Sequence, residues 1–536
     1  MKTGRHLWLA AGVFWAGWLL CAGALQSQQP HDLGAFWAEE AAVDDSGERV
    51  LKTLQAQQAK IAEQERRIRR LEAALNGSIV PTQAMQPSPL PAEEEENLEL
   101  LEPVVVCPQP DGNVSPVTIG GQYRLMFNAS NYDWHAEELS DDQRSQTFFN
   151  QRFRTWLTVR PNDQVEGYLQ VEMGHIAWGE NYDYPKTYVG PRFPGADDRV
   201  GIELRRGYLT YRSEPWGVFR AGILGEQDRF DQTLFSSDWD FNLGGLAWER
   251  TWYLLGEADF RLGLFAVTEG DYQAADDTLL LTLDMDWSPC ENRNLGVSAY
   301  YLSDRGGYSY PTVDEYDESW DVWLGVRTRV ELWGIPLHAF ALYNFGERRD
   351  SDATPLFQHD GVGLKLETGP LPMGPGSLSA QVLYSSGDGD PDPYYSTEFR
   401  TVAQSERDNF GAQGYWSYLV TTSPDGPSDV NDLGVGLQNR GLGLFTVQMQ
   451  YVFPVFERLD GRVAAGWLRS DVRRPASGSF DMGTEIANVY TLDLGGGLTA
   501  DMGAAVFWPG NFYKASAAAA SPDTLYEAFT RLQLVF

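Results

Sequence analysis

The feature that most limits what this chain can become is a two-residue rhythm. From about Val117 to Phe536, stretches of roughly ten residues place apolar side chains at alternate positions, with polar or charged ones between them. In TFFNQRFRTWLTVR, Phe149, Phe153, Leu157 and Val159 share one face, while Asn150, Arg152, Arg154 and Thr158 share the other. GVFRAGILGEQ sets Phe219, Ala221 and Ile223 opposite Arg220 and Glu226. VWLGVRTRVEL sets Val322, Leu324, Val326 and Val330 opposite Arg327 and Arg329. Segments of this length match a tilted strand crossing a hydrocarbon layer. A helical membrane protein would instead carry several runs of about 20 apolar residues, and after residue 25 there are none. A mean hydropathy of −0.36 with 54 Gly, 25 Tyr and 18 Trp fits a wall with one lipid face and one wet face. The expected fold class is all-β: an antiparallel transmembrane β-barrel, preceded by a short α-helical coiled-coil segment.

Strand starts fall near 118, 147, 164, 202, 217, 244, 258, 277, 294, 320, 337, 360, 377, 442, 460, 487, 503 and 525. Their number, eighteen, is even, as a bacterial barrel requires. Tight turns (Pro161-Asn162-Asp163, Glu214-Pro215-Trp216-Gly217, Trp333-Gly334-Ile335-Pro336) alternate with long polar stretches such as 179–200, 303–318 and 387–440. Short turns belong on the periplasmic side and long loops outside, and the alternation keeps phase through all eighteen strands. The chain ends TRLQLVF, so that Leu532, Leu534 and the terminal Phe536 share the lipid face.

Ahead of the barrel the texture differs. Residues 1–24 read as a secretory signal peptide: Lys2 and Arg5 are basic, Leu7 to Leu20 is apolar, and Ala22-Gly23-Ala24 is small. An uncleaved anchor is the other reading of the same residues. Lipidation at Cys21 is not expected, because bulky Leu20 precedes it. After an N-terminal segment at 25–49, residues 50–76 repeat Leu54, Ile61, Ile68 and Leu75 at intervals of seven, with Val50 and Leu71 at the companion positions. This pattern suits a coiled coil, dimeric or trimeric, through which residues 50–75 would self-associate. A lone amphipathic helix suits it as well. Asn76-Gly77 ends it, and 77–116 is a Pro/Glu-rich periplasmic linker containing the run Glu93–Glu96. The barrel domain is expected over 117–536.

With the strands placed, two stretches become recognisable. LRRGYLTYRSEPWGVFRAGILGEQDRFDQTLFSSDWDFNLGG resembles the alginate export family of bacterial outer-membrane porins, where a strand pair leads to an external loop carrying aromatics and acids. MGTEIANVYTLDLGGGLTADMGAAVFWPGNFY followed by YEAFTRLQLVF is similar to that family's closing strands, including the break at Phe507-Trp508-Pro509-Gly510. The resemblance implies an eighteen-stranded monomeric barrel with an electropositive lumen that conducts an anionic polymer. The coiled-coil segment is not part of that pattern.

The formal charge of −34, from 41 basic and 75 acidic residues, argues against a nucleic-acid partner. Alternation nevertheless turns many cations toward the lumen: Arg124, Arg152, Arg154, Arg206, Arg212 and Arg220 beside Glu166, Glu172 and Glu226, then Arg261, Arg327, Arg329, Lys365 and Arg531. The substrate path is expected along Arg124, Arg152, Arg154, Arg206, Arg220, Arg327 and Arg329. Guanidinium groups bind carboxylates in bidentate fashion, so they could hand anions along a pore, provided no site holds too tightly. The same arginines could equally pair with neighbouring acids and stiffen the wall.

No catalytic residue, metal site or cofactor is expected, and the chain reads as a non-enzyme: no nucleophile motif, phosphate-binding glycine loop or metal-spaced Cys/His cluster occurs. The mature histidines are His31, His135, His175, His338 and His359. The acidic segment GDGDPDP could attract divalent cations but lacks the EF-hand register, and suits a solvated loop. Cys107 in the linker and Cys290 in the turn SPCENRN lie nearly opposite around the barrel, roughly 35 Å apart by strand spacing and tilt. The nine residues before strand one span at most about 33 Å; free thiols are expected, the alternative being a disulfide with the linker stretched across the pore mouth. The function expected is passive passage of anionic saccharides or other small anions through the outer membrane, with lipid as the surrounding partner. The alternative is a structural envelope protein whose periplasmic stalk tethers the outer membrane to the cell wall.

Overall fold

The computed structural model describes residues 104–108, 114–131, 145–177, 202–237, 241–253, 256–268, 277–290, 293–305, 318–349, 355–402, 435–520 and 522–536. All belong to the unit Leu98–Phe536. The segments expected to be a signal peptide and a coiled coil, and most of the expected linker, lie outside the described residues.

In chain order the strands are β1 Val104–Pro108, β2 Val114–Ser130, β3 Gln146–Asn162, β4 Val165–Ala177, β5 Glu203–Ser213, β6 Gly217–Gly225 and β7 Asn242–Tyr253. There follow β8 Glu257–Thr268, β9 Thr278–Cys290, β10 Arg293–Asp304, β11 Glu318–Leu332, β12 Ile335–Arg349 and β13 Pro355–Met373. The chain continues with β14 Gly376–Ser385, β15 Tyr395–Ser396, β16 Leu444–Phe456, β17 Leu459–Arg469, β18 Asp481–Gly495, β19 Leu498–Pro509 and β20 Leu525–Val535. Eighteen of these, β2–β14 and β16–β20, pair antiparallel with their neighbours, and β2 pairs with β20 from Gln122↔Val535 to Ser130↔Glu527. The sheet is closed, which satisfies every edge that lipid would otherwise strand. Phe536 completes the seam: Gly121 N–H donates to its carbonyl at 2.8 Å, and its own N–H donates to Gly121 O at 3.0 Å.

The two remaining strands are accessory. β15 adds two residues in parallel to β13. β1 pairs with β2 from Val104↔Thr118 to Pro108↔Val114, in residues the sequence assigns to the linker. Cys290 closes β9 as a free, exposed thiol; for Cys107, on β1, the side chain is outside the description.

Turns and loops alternate around the whole barrel. The connections β3–β4, β5–β6, β7–β8, β9–β10, β11–β12, β13–β14, β16–β17 and β18–β19 take two or three residues, and the others are longer. The faces alternate too. On β9, Leu279, Leu281 and Leu283 are exposed while Thr278, Leu280, Thr282 and Asp284 are buried. The exposed face carries aromatics at both ends: Trp216, Tyr253, Trp333 and Phe456 at the tight-turn rim, and Phe149, Tyr301, Trp467, Trp508 and Tyr526 toward the long loops. An outward apolar band between two aromatic girdles is what a lipid bilayer selects.

A pore narrowed by two inward loops

Between β6 and β7 the chain does not extend into solvent. Residues 226–237 turn into the barrel, and Phe230, Leu234, Phe235 and Phe241 are buried. Asp228 organises the turn: its carboxylate accepts the N–H groups of Phe230 (2.6 Å), Leu234 (2.7 Å) and Phe235 (2.9 Å). Burial pushes the Asp228 carboxyl up to about 7, and the three N–H donors pull the other way. Phe230 packs edge-on against Tyr300 of β10 and Phe340 of β12, 6.2 and 5.6 Å between centroids. The guanidinium of Arg327 lies 5.4 Å from the Phe230 ring. Gly325 leaves the room this ring needs, since a Cβ there would collide with it.

The tip is Asp231-Gln232, both in the left-handed region at φ 55° and 59°. Non-glycine residues hold such values only when their surroundings fix them. Here Asp231 Oδ2 meets Lys365 Nζ at 2.7 Å and His338 Nδ1 at 3.4 Å, and Oδ1 lies 3.7 Å from Arg329 Nη2. A loop rooted between β6 and β7 is thus pinned to β11, β12 and β13.

A second inward segment, 397–402, lies against the same wall. Trp323 Nε1 donates to Arg400 O at 2.7 Å, and Arg400 N–H donates to Asn344 Oδ1 at 3.2 Å. Phe399 is fully buried, over a glycine at 361 whose Cβ would strike its backbone. The two segments meet where Val402 N–H donates to Leu234 O at 3.1 Å. In the long-loop half, apolar side chains from both segments form one cluster with inward Tyr300, Trp323, Phe340 and Leu342.

Toward the tight-turn rim an open space remains, a cavity of about 550 Å³ lined by Arg229, Glu249, Arg261, Asp284, Arg327 and Arg329 among others. Arg229 is exposed at its wall, and the Arg329 side chain is 69% exposed. Two other cations there are held: Arg327 grips Asp286 through Nε (2.9 Å) and Nη2 (2.5 Å), and Arg261 pairs with Glu226.

The residues expected on the substrate path divide in the same way. Arg124 and Arg152 are in register across β2–β3 and both buried, with Arg152 Nη2 donating to Gln122 Oε1 at 3.2 Å. Arg154 pairs with Glu172, Arg220 pairs with Glu249 at 2.7 Å, and Arg206 Nη2 donates to Ser237 Oγ of the inward loop at 2.9 Å. Of the seven, Arg329 alone is well exposed to the open space. Wall pairing therefore accounts for Arg154, Arg220 and Arg327.

Three groups in the constriction escape the sequence rhythm. Arg205 is buried because the register shifts between Gln170 and Val171 of β4, a bulge that leaves Arg205 opposite no residue and lets both Arg205 and Arg206 reach the interior. Its Nη1 lies 2.7 Å from Glu172 Oε2, so this one acid serves Arg154 and Arg205, with Arg152 at 3.9 Å. Arg229 and Asp231 stand in a loop, where no alternation marks them. The only hint there is the apolar content of DRFDQTLF, unusual for a solvated loop.

Among the described residues, one group has metal-ligand spacing: Asp231, His338 and Glu367. Lys365 Nζ already lies 2.7 Å from Asp231 and 2.9 Å from Glu367, so an ammonium group neutralises that cluster. In GDGDPDP the side chains of Asp388, Asp390 and Asp392 accept the N–H two residues on, which makes the segment a chain of turns. Behind it Glu398 is half-buried. Burial, then the neighbouring Asp388 and Asp321, push its carboxyl up to about 8 from an ordinary 4.5, although Arg400 Nη2 is 3.5 Å away. A raised acid stabilises the fold fully below its ordinary value and loses that contribution as pH rises through about 8. Limited proteolysis within 386–443 should accelerate across that pH, and Glu398→Gln should remove the step; an unchanged profile in the variant would contradict this.

The fold and site define a closed eighteen-stranded transmembrane barrel whose lumen is narrowed by its own loops. Solved structures with similar strand arrangements include Pseudomonas aeruginosa OpdL (12% identity, 78% of this chain and 98% of that one, TM-score 0.46). Acinetobacter baumannii OccAB4 is similar at 10% identity, with 78% and 98% covered and a TM-score of 0.45. An anion-selective porin from Comamonas acidovorans is similar at 9% identity, with 79% and 100% covered and a TM-score of 0.40. No protein-family model matches the chain, and no curated protein matches it. The stretch that resembles an alginate exporter's external loop folds inward here.

Proposed function

We propose that this protein is a passive channel of the bacterial outer membrane for small anionic solutes, anionic saccharides among them. The observation that carries the reading is the cavity beneath the Asp231 tip. Its lining includes Arg229, Arg329 and His338, of which the two arginines are exposed. A permeating carboxylate reaching the tip would meet those guanidinium groups, and the exposed position of Arg329 favours brief, reversible contact over tight capture. The ion pairs deeper in the wall keep the lumen rigid without competing for solute.

Purified protein in planar bilayers under a salt gradient tests this. The reversal potential should report anion preference, and glucuronate should reduce chloride current at the same pores. Arg229→Gln/Arg329→Gln should lower the anion-to-cation permeability ratio about fivefold, given roughly 0.5 kcal/mol for each of the two screened charges. Equal ratios in the two proteins would remove these arginines from the path.

A further inference from the structure

A second cluster of cations lies on the outside of the barrel. Where β17 ends and the 470–480 loop begins, a cavity of about 470 Å³ is lined by Arg469, Arg473, Lys514, Phe480, Trp467 and Asp481 among others. The guanidinium groups of Arg469 and Arg473 each lie 4.8 Å from the centroid of Phe480, so one ring positions both. Lys514 comes from the loop that joins β19 to β20. None of the three has a carboxylate partner among the described residues, whereas the lumen arginines described above are largely paired. Asp481 is the one acid among the lining residues. Three uncompensated cations gathered on one cavity, in a chain of net charge −34, call for an anionic occupant.

The position says which kind. Trp467 and Arg469 are two apart on β17, on the face opposite fully buried Leu468, and Trp467 is 40% exposed on the lipid side. The cavity stands at the long-loop end, one step beyond the aromatic girdle. That is the height of lipid headgroups, where indole rings stop and phosphates begin. Arg recognises phosphate through its planar fork, and Lys adds a mobile point charge.

We propose that Arg469, Arg473 and Lys514 form a binding site for the phosphate groups of an anionic lipid in the outer leaflet. The site rests on the membrane-barrel reading but not on anion permeation. A lipid held there fastens two external loop segments, 470–480 and 510–520, to the membrane surface, and fixes the strands β17–β20 next to the closing seam.

The test uses the full chain in mild detergent, as wild type and as Arg469→Gln/Arg473→Gln/Lys514→Gln. Bound lipid is counted by native mass spectrometry during titration with lipid A, with phosphatidylcholine, and with inorganic phosphate. Lipid A should bind the wild type with about 100-fold higher affinity than the triple variant, at roughly a factor of five per cation beside an anionic headgroup. Phosphatidylcholine should not distinguish the two proteins, and inorganic phosphate should not displace lipid A. Equal lipid A binding by both proteins would overturn the proposal. Displacement by inorganic phosphate would assign the cavity to a soluble anion and overturn it too. Single-channel steps from both proteins show the barrel inserted, which separates a failed lipid site from a failed membrane reading. If the triple variant does not give folded protein, Arg473→Gln alone, at an exposed position, should weaken lipid A binding about fivefold.

Discussion

Replacing Asp228 by alanine is expected to raise single-channel conductance several-fold while leaving the barrel assembled. Asp228 is buried, and three backbone N–H groups end on its carboxylate. Hydrogen bonds to such a group are worth about 1.5–3 kcal/mol each. Without them, Phe230, Leu234 and Phe235 lose the turn that presents them to the wall, and the donors are left buried. The strain at Asp231 and Gln232, of order 1–3 kcal/mol per residue, is then free to relax by moving the tip away from Lys365. Closure of the barrel through β2–β20 does not involve this loop, so heat-modifiable mobility on a denaturing gel should be that of the wild type. An assembled variant with unchanged conductance would mean that the loop does not set the narrowest point.

The second large effect is expected at Glu172, and it is one of stability. This carboxylate is 3% exposed, pairs with Arg154 and with Arg205 at 2.7 Å, and has Arg152 at 3.9 Å. Glu172→Gln removes the carboxylate that Arg154 and Arg205 share. Removing one partner of a buried ion pair costs about 3–5 kcal/mol, which should appear as a lower urea midpoint for barrel unfolding in detergent. Substituting Arg205→Met as well should recover part of the loss, because the two residues share one interaction. A Glu172→Gln variant as stable as the wild type would show that water, not Glu172, compensates these arginines.

How much of this was legible in the sequence follows from what lipid demands. A strand that crosses hydrocarbon must alternate and must leave no edge, so each of the eighteen barrel strands announces itself by rhythm. Their ends are less plain. The pattern starts strands at 360, 487 and 503, where the structure begins them at Pro355, Asp481 and Leu498, because strand ends near the rims are free of the lipid constraint. Alternation also says which residues share a face and nothing about what fills the inside. Tyr300, Trp323 and Phe340 face inward because two loops cover them, and no local pattern predicts that cover. Arg205 was hidden by a bulge, which breaks the period of two where it matters. The electropositive ladder was half visible: the cations were legible, and so were the acids beside them, but which pairs close depends on register.

The most direct test of the central account is the reversal potential of the purified protein in a planar bilayer under a salt gradient. The account predicts discrete channels whose potential has the sign of anion preference, weakened when Arg229 and Arg329 are both changed to glutamine. A cation-preferring potential, or folded protein that inserts without conducting, would contradict it.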